Sequence, residues 1–236
     1  MSMKLHKVLT IGGAVLTLVN DDVRLDLKSP GRATFTIQGG AQVSGLVTLD
    51  IGYNEAALQR HFIGYVERCT AVNGVEQIVF CREVAAVLAK SMPMNLRHVD
   101  LRAVLADISN KTGLRFRVPD QAYTKVKAPY FYSLAAGYQA MDSMGTVFGI
   151  PDFIWQQQGD GEVFVGSWAH SFFGARPPLQ LPVSVFDSYQ GNQSAMVSAL
   201  PGLRPGASFN QGERITSVTL AGTQMAIKWT TQSSAA

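Results

Sequence analysis

Over residues 1–90, hydrophobic and polar positions alternate in short runs. Ala33, Phe35 and Ile37 alternate with Arg32, Thr34, Thr36 and Gln38, and Val47, Leu49 and Ile51 alternate with Leu46, Thr48 and Asp50. A period of two gives each run one apolar and one more polar face, as in half-buried strands. Gly12-Gly13, Ser29-Pro30-Gly31 and Gly39-Gly40 punctuate the runs as turns. The run from Phe62 to Cys69 leads through Asn73-Gly74 into Val75 and beyond, which reads as a hairpin with a two-residue turn. About six short strands at this spacing predict a small antiparallel barrel or sandwich.

Near residue 91 the period changes. Leu101, Val104, Leu105 and Ile108 fall at i, i+3, i+4 and i+7 of a helix, with Asp100 as N-cap and Gly113 as its stop. A second helix is expected over 134–148, capped by Ser133, with Leu134, Tyr138, Met141, Met144 and Phe148 along its buried stripe. Residues 114–118 lie between the helices. After them comes a hairpin, with Phe153, Ile154 and Trp155 on one arm and the Gly159-Asp160-Gly161 tip leading into the arm from Glu162 to Trp168. Beyond Arg176-Pro177-Pro178 the chain is β-like again at 181–186, 215–220 and 224–229, with Gly222 as the last turn and a loop-rich stretch over 188–212. The fold class expected is mainly β with an α+β insertion. Two small antiparallel tube-type barrels (1–90 and 175–236) would flank a helix-strand-helix-hairpin segment (91–174).

Composition narrows the function. Hydrophobic residues make up 47% and charged residues 16% of the 236 positions, a thinly charged surface of the kind that suits burial against partners. The net charge of +3 argues for neither a general polyanion binder nor a membrane-surface protein. Lys4 and Lys7 ahead of the apolar stretch 8–19 superficially resemble a secretory leader, but no small-x-small site follows and Gly12-Gly13 reads better as a hairpin turn. No membrane-spanning run is present.

Chemistry-bearing motifs are missing. The sequence has no nucleophile elbow, phosphate loop, dinucleotide fingerprint or zincin helix, and His6, His61, His98 and His170 are widely spaced, so no catalytic residue, cofactor or metal is expected. Asp21 and Asp22 are adjacent and would face opposite ways on a strand, while Asp160 and Glu162 fit a hairpin tip better than a glycosidase pair. With Asn73-Gly74 as the turn, Cys69 would oppose Ile78 and Cys81 would oppose Val66, so the thiols are expected to stay free. Lys111, Arg115, Arg117, Lys125 and Lys127, with Phe116 and Tyr123 interleaved and only Asp120 opposing, form the best local charge feature. They leave open a nucleic-acid contact, a solvated strand face or an acidic protein neighbour.

The order of these pieces resembles the phage tail baseplate hub family, also called late-control D. Ser29-Pro30-Gly31-Arg32-Ala33-Thr34-Phe35 and Phe62-Ile63-Gly64-Tyr65-Val66-Glu67 are similar to its early strands. Asp100-Leu101-Arg102-Ala103-Val104-Leu105 is similar to its central helix, and Leu203-Arg204-Pro205-Gly206 with Arg214-Ile215-Thr216-Ser217-Val218 to its closing strands. The resemblance implies a non-enzymatic virion protein at the tail tip, assembled in the host cytoplasm. It would be a homotrimer joining a hexameric tail tube to a separate trimeric spike or fibre, with tape-measure protein nearby and DNA only in passage. Hubs of this family are often longer, so a minimal hub is implied, with any spike or lytic enzyme on another chain. A distal tail protein forming hexamers is the runner-up. A carbohydrate- or wall-binding or hydrolysing module, with Trp155, Trp168 and Trp229 as sugar platforms, is the alternative of another class. Gly39, Gly40 and Gly45 and the Phe172-Phe173-Gly174 turn are the expected assembly contacts, because glycine-rich tips and adjacent exposed aromatics are unfavourable in a solitary monomer.

Overall fold

The structure is a computed structural model that describes residues 3–54, 57–189 and 193–230. It is mainly β with an α+β insertion, as the patterning predicts. The chain forms two compact units, one of residues 1–83 with 177–236 and one of residues 84–176.

The first unit begins with β1 (Leu5–Ile11), β2 (Ala14–Leu16), β3 (Leu18–Asp26), β4 (Arg32–Gln38), β5 (Leu46–Tyr53), β6 (Gln59–Ala71) and β7 (Glu76–Glu83). The second holds β8 (Met94–Val99), α1 (Leu101–Thr112), β9 (Phe116–Arg117), β10 (Ala128–Ser133), α2 (Gly137–Val147), β11 (Phe153–Gln157) and β12 (Val163–Ser167). The chain then returns to the first unit with β13 (Phe186–Tyr189), β14 (Ser194–Ser198), β15 (Ser208–Phe209), β16 (Glu213–Ala221) and β17 (Gln224–Thr230).

All strands of the first unit share one 12-stranded sheet, ordered β13-β14-β17-β16-β3-β4-β7-β6-β5-β1-β2, with β15 on β16. The two flanks, read from the sequence as separate barrels, are thus joined edge to edge where Val218 pairs with Leu25 and Leu220 with Val23. No ladder among the described residues closes this path into a barrel. An unpaired edge on β3 or β16 would leave backbone donors and acceptors open, and pairing the two removes both edges. The alternating positions supply the core: Val23, Leu25, Phe35, Ile37, Val47, Leu49, Phe62 and Val79 are buried, with Phe35 and Phe62 edge to face at 6.1 Å.

Turn chemistry sets most registers. Gly12 and Gly13 both have positive φ, the type I′ requirement, and place Ile11 opposite Ala14. Gly222, with positive φ at the first central position only, as in a type II′ turn, places Ala221 opposite Gln224. The Asn73-Gly74 turn departs from expectation. Asn73 Oδ1 accepts from the N–H groups of Val75 and Glu76, opening a longer loop, and a bulge between Val66 and Arg68 absorbs the extra residue. Cys81 therefore faces Val66 as expected, whereas Cys69 faces Val79 rather than Ile78, and both thiols are free.

In the second unit α1 forms as its pattern demands. Asp100 accepts from Ala103 N–H at 2.9 Å, and Gly113 closes the helix in the left-handed region. Leu101, Val104, Leu105 and Ile108 meet Met141, Met144, Phe148 and Trp155 in a common core. The second helix begins later than predicted, at Gly137 rather than Leu134. Ser133 is held in β10 opposite Met94, Leu134 is exposed, and Met92 N–H and Gly137 N–H bond back to Ala135 and Lys90 carbonyls respectively. Gly137 packs so close that a Cβ would lie 2.9 Å from the Leu88 carbonyl oxygen, which fixes the helix start there. The β8–β10 ladder, which brackets α1, has no counterpart in the sequence reading.

Candidate assembly surfaces

Gly39, Gly40 and Gly45 lie in the exposed connection between β4 and β5. This connection is built rather than loose. Gly39 N–H donates to Val75 O at 2.8 Å, and Gln77 Nε2 donates to the carbonyls of Gly39 and Ala41. Gly45 O accepts from Val66 N–H, and Gly12 N–H donates to Leu46 O at 2.9 Å. The β1–β2 turn, the 39–45 connection and the β6–β7 loop are therefore laced together at one end of the sheet. Exposed apolar side chains gather on them: Val15 (72%), Leu46, Val72 and Val75 (67%). The sequence reading missed these four, although each flanks a turn glycine that it had marked.

Phe172, Phe173 and Gly174 lie in a compact turn of the second unit. Gly174 N–H donates to Ser171 Oγ and Ala175 N–H to Ser171 O, both at 3.1 Å, and Arg176 N–H donates to Phe173 O. A Cβ on Gly174 would come 2.0 Å from Trp168 O, so only glycine fits. Phe172 is 49% exposed, stands edge to face on Phe173 at 5.0 Å and carries Arg176 above its ring at 3.6 Å. Beside this turn is a cavity of about 410 Å³, lined by Arg117, Val118, Pro119, Phe164, His170 and Phe172 among others.

The remaining candidates resolve into structural roles. Of the basic segment, Lys111 pairs with Asp107, Arg117 with Asp160 and Glu162, Arg115 with Glu162 and Lys127 with Asp100, which offsets most of its charge. The same pairs occupy Asp160 and Glu162, and Asp21 is buried against Lys7 at 2.7 Å. Trp155 is a core residue, stacked on Tyr138 at 5.8 Å and donating to Asp142 at 2.7 Å. Trp229 is half-buried against Phe209 and Trp168 is half-buried. Trp155, buried in the core, offers no open ring face of the kind a sugar platform needs. His61 is buried with neither ring nitrogen hydrogen-bonded, and burial, then Arg204 and Lys7, pushes its pKa down to about 3. Among the described residues no three His, Cys, Asp or Glu side chains gather to hold a metal.

No family profile matches the chain. It is 30% identical over 222 residues to an uncharacterized 58.7 kDa protein in the lys 3′ region of Haemophilus phage HP1, covering 93% of this chain and 41% of that protein. The chain thus spans well under half the length of this relative. Among solved structures it superposes on the 43 kDa tail protein of prophage MuSo2 from Shewanella oneidensis with a TM-score of 0.71 at 8% identity, covering 96% of this chain and 98% of that one. The fold is that of phage tail proteins. The E. coli c3393 protein, a type VI secretion component described as similar to the T4 tail proteins gp27 and gp5, shares the tail-protein fold with a TM-score of 0.63 at 11% identity, over 96% of this chain and 77% of that one. This likeness spans both units, so strands and insertion alike belong to the tail-protein fold.

Proposed function

We propose that this chain is a non-enzymatic hub component of a phage tail. Three copies would form a ring joining the end of a hexameric tube to a separate trimeric spike or fibre. The observation that carries this reading is the β3–β16 junction, which puts strand sets from both ends of the chain side by side in one sheet. Three chains would then present six strand sets, and closed rings require such matching of interfaces. The phage relative and the tail-protein fold support the tail role. In this reading the glycine-laced sheet end, with Val15, Leu46, Val72 and Val75, meets the tube, and the Phe172-Phe173-Gly174 turn meets a further tail protein. Assembly in the host cytoplasm, contact with a tape-measure protein and passage of DNA belong to the same reading.

Mixing the purified chain with tubes assembled from the same phage's tube protein tests this by electron microscopy. Density capping one tube end only is expected. Decoration along the whole tube, or none, contradicts the role.

A further inference from the structure

We propose that the cavity beside the Phe172 turn is a docking pocket for a partner polypeptide that presents an apolar side chain next to a carboxylate. At about 410 Å³ it falls in the size range of roughly 300–1,000 Å³ typical of specific ligand sites. Val118, Pro119, Phe164 and Phe172 supply apolar wall, enough to take a leucine- or phenylalanine-sized group out of water.

Charge selects the rest of the ligand. Arg117 is held by Asp160 at 2.9 Å and by Glu162 at 2.7 Å, and Glu162 also faces Arg115 at 4.0 Å. The two carboxylates near the pocket are thereby occupied, so a cationic ligand finds no free anion. Arg176, by contrast, has no carboxylate within ion-pair distance among the described residues, and its guanidinium sits at the rim over Phe172. His170 lines the same pocket, its Nδ1 3.4 Å from Tyr123 Oη, which also accepts from Ser167 N–H at 3.3 Å, so the imidazole is held at the pocket wall. One guanidinium without an ion-pair partner matches a single carboxylate. A nucleic-acid backbone would call for several cations.

The partner is a polypeptide rather than a free acid because the rim is open. Small-molecule sites bury most of their ligand, whereas Phe172 and Arg176 are exposed and would leave much of a small acid in water. They extend the apolar and cationic contact outward, as a surface that meets another surface does. The turn is also ordered before any ligand arrives. Its Ser171, Gly174, Ala175 and Arg176 hydrogen bonds fix the rim, which lowers the ordering cost of binding. The pocket stands independently of whether the chain caps a tube.

Amide chemical shifts of the 15N-labelled chain, titrated with the capped dipeptide acetyl-Phe-Asp-amide, test the proposal. Saturating shifts confined to residues 117–118, 158 and 164–176 are expected. Binding should be about tenfold weaker for acetyl-Phe-Asn-amide, for acetyl-Ala-Asp-amide and for the Arg176→Gln chain. The Arg176→Gln spectrum should otherwise match the parent, since that side chain is exposed. Equal binding of the Asn peptide, shifts mapping elsewhere, or no saturable shift would overturn the pocket. Tighter binding of 3-phenylpropionate than of the peptide would overturn the polypeptide partner.

Discussion

Arg204 Nη2 lies 3.0 Å from Glu83 Oε1, although 121 residues separate them along the chain. Both are buried. Arg204 Nη1 donates to His61 O at 2.6 Å, and Glu83 Oε2 accepts from Gly31 N–H at 2.7 Å. The pair therefore ties the end of β7 to the loop that precedes β15, all within the first unit. Burial drives the Glu83 carboxyl pKa up, while Arg204 and the Gly31 N–H draw it back. A desolvated carboxylate without its partner is far more costly than the pair itself is stabilising. Arg204→Met should thus lower unfolding stability by about 3–5 kcal/mol. Adding Glu83→Gln should recover part of that loss. Urea denaturation of the single and double variants checks both.

His61 makes stability depend on pH. Its folded pKa of about 3 lies below the ordinary value of 6.5, chiefly because burial disfavours the imidazolium. The unfolded chain therefore takes up a proton below pH 6.5 that the folded chain refuses until about pH 3. The sign follows: this contribution is fully present above about 6.5 and is lost as pH falls, at about 1.4 kcal/mol per pH unit within that window. His61→Leu should flatten the acid side of the stability curve. It should also cost little at pH 7, since no ring hydrogen bond is lost. Chemical denaturation at a series of pH values separates the two chains.

The two thiols should react differently. Burial pushes the Cys81 thiol up to about 12 and removes it from solvent, whereas Cys69 is only half-buried, its thiol donating to Gln77 Oε1. Native alkylation at pH 8 should label Cys69 and spare Cys81, and a non-reducing mass should show no loss of two protons. Double labelling in the native chain, or a disulfide mass, contradicts the assignment.

Phe172→Ser with Phe173→Ser should leave the thermal midpoint nearly unchanged, because Phe172 is 49% exposed and the turn is held by backbone bonds. Co-sedimentation with tail partners should fall. A melting transition displaced by many degrees would place the rings in the core.

Much of this fold is legible in the sequence where local physics decides. Alternation marks β4 and β5, Gly12-Gly13 and Gly222 fix their turns, and Asp100 and Gly113 bound α1. One failure is local, the Asn73 side chain that opens the expected two-residue turn into a longer loop; the others are non-local. Nothing near Leu25 announces that Val218 will pair with it, so the joining of the two strand sets is invisible from either end. The β8–β10 ladder pairs Leu96 with Phe131 across α1, and that same pairing holds Ser133, the expected helix cap, in β10 opposite Met94. For the candidate surfaces, glycine and aromatic composition marks the Gly39 and Phe172 turns. It does not reveal the neighbouring exposed valines or the carboxylates that pair off the basic segment.

The copy number of the assembled ring tests the central claim most directly. Native mass spectrometry of the ring formed on tube ends should give three chains of this 25.5 kDa protein. Six copies, each matching one tube subunit, would contradict the hub reading and favour a distal tail protein in its place.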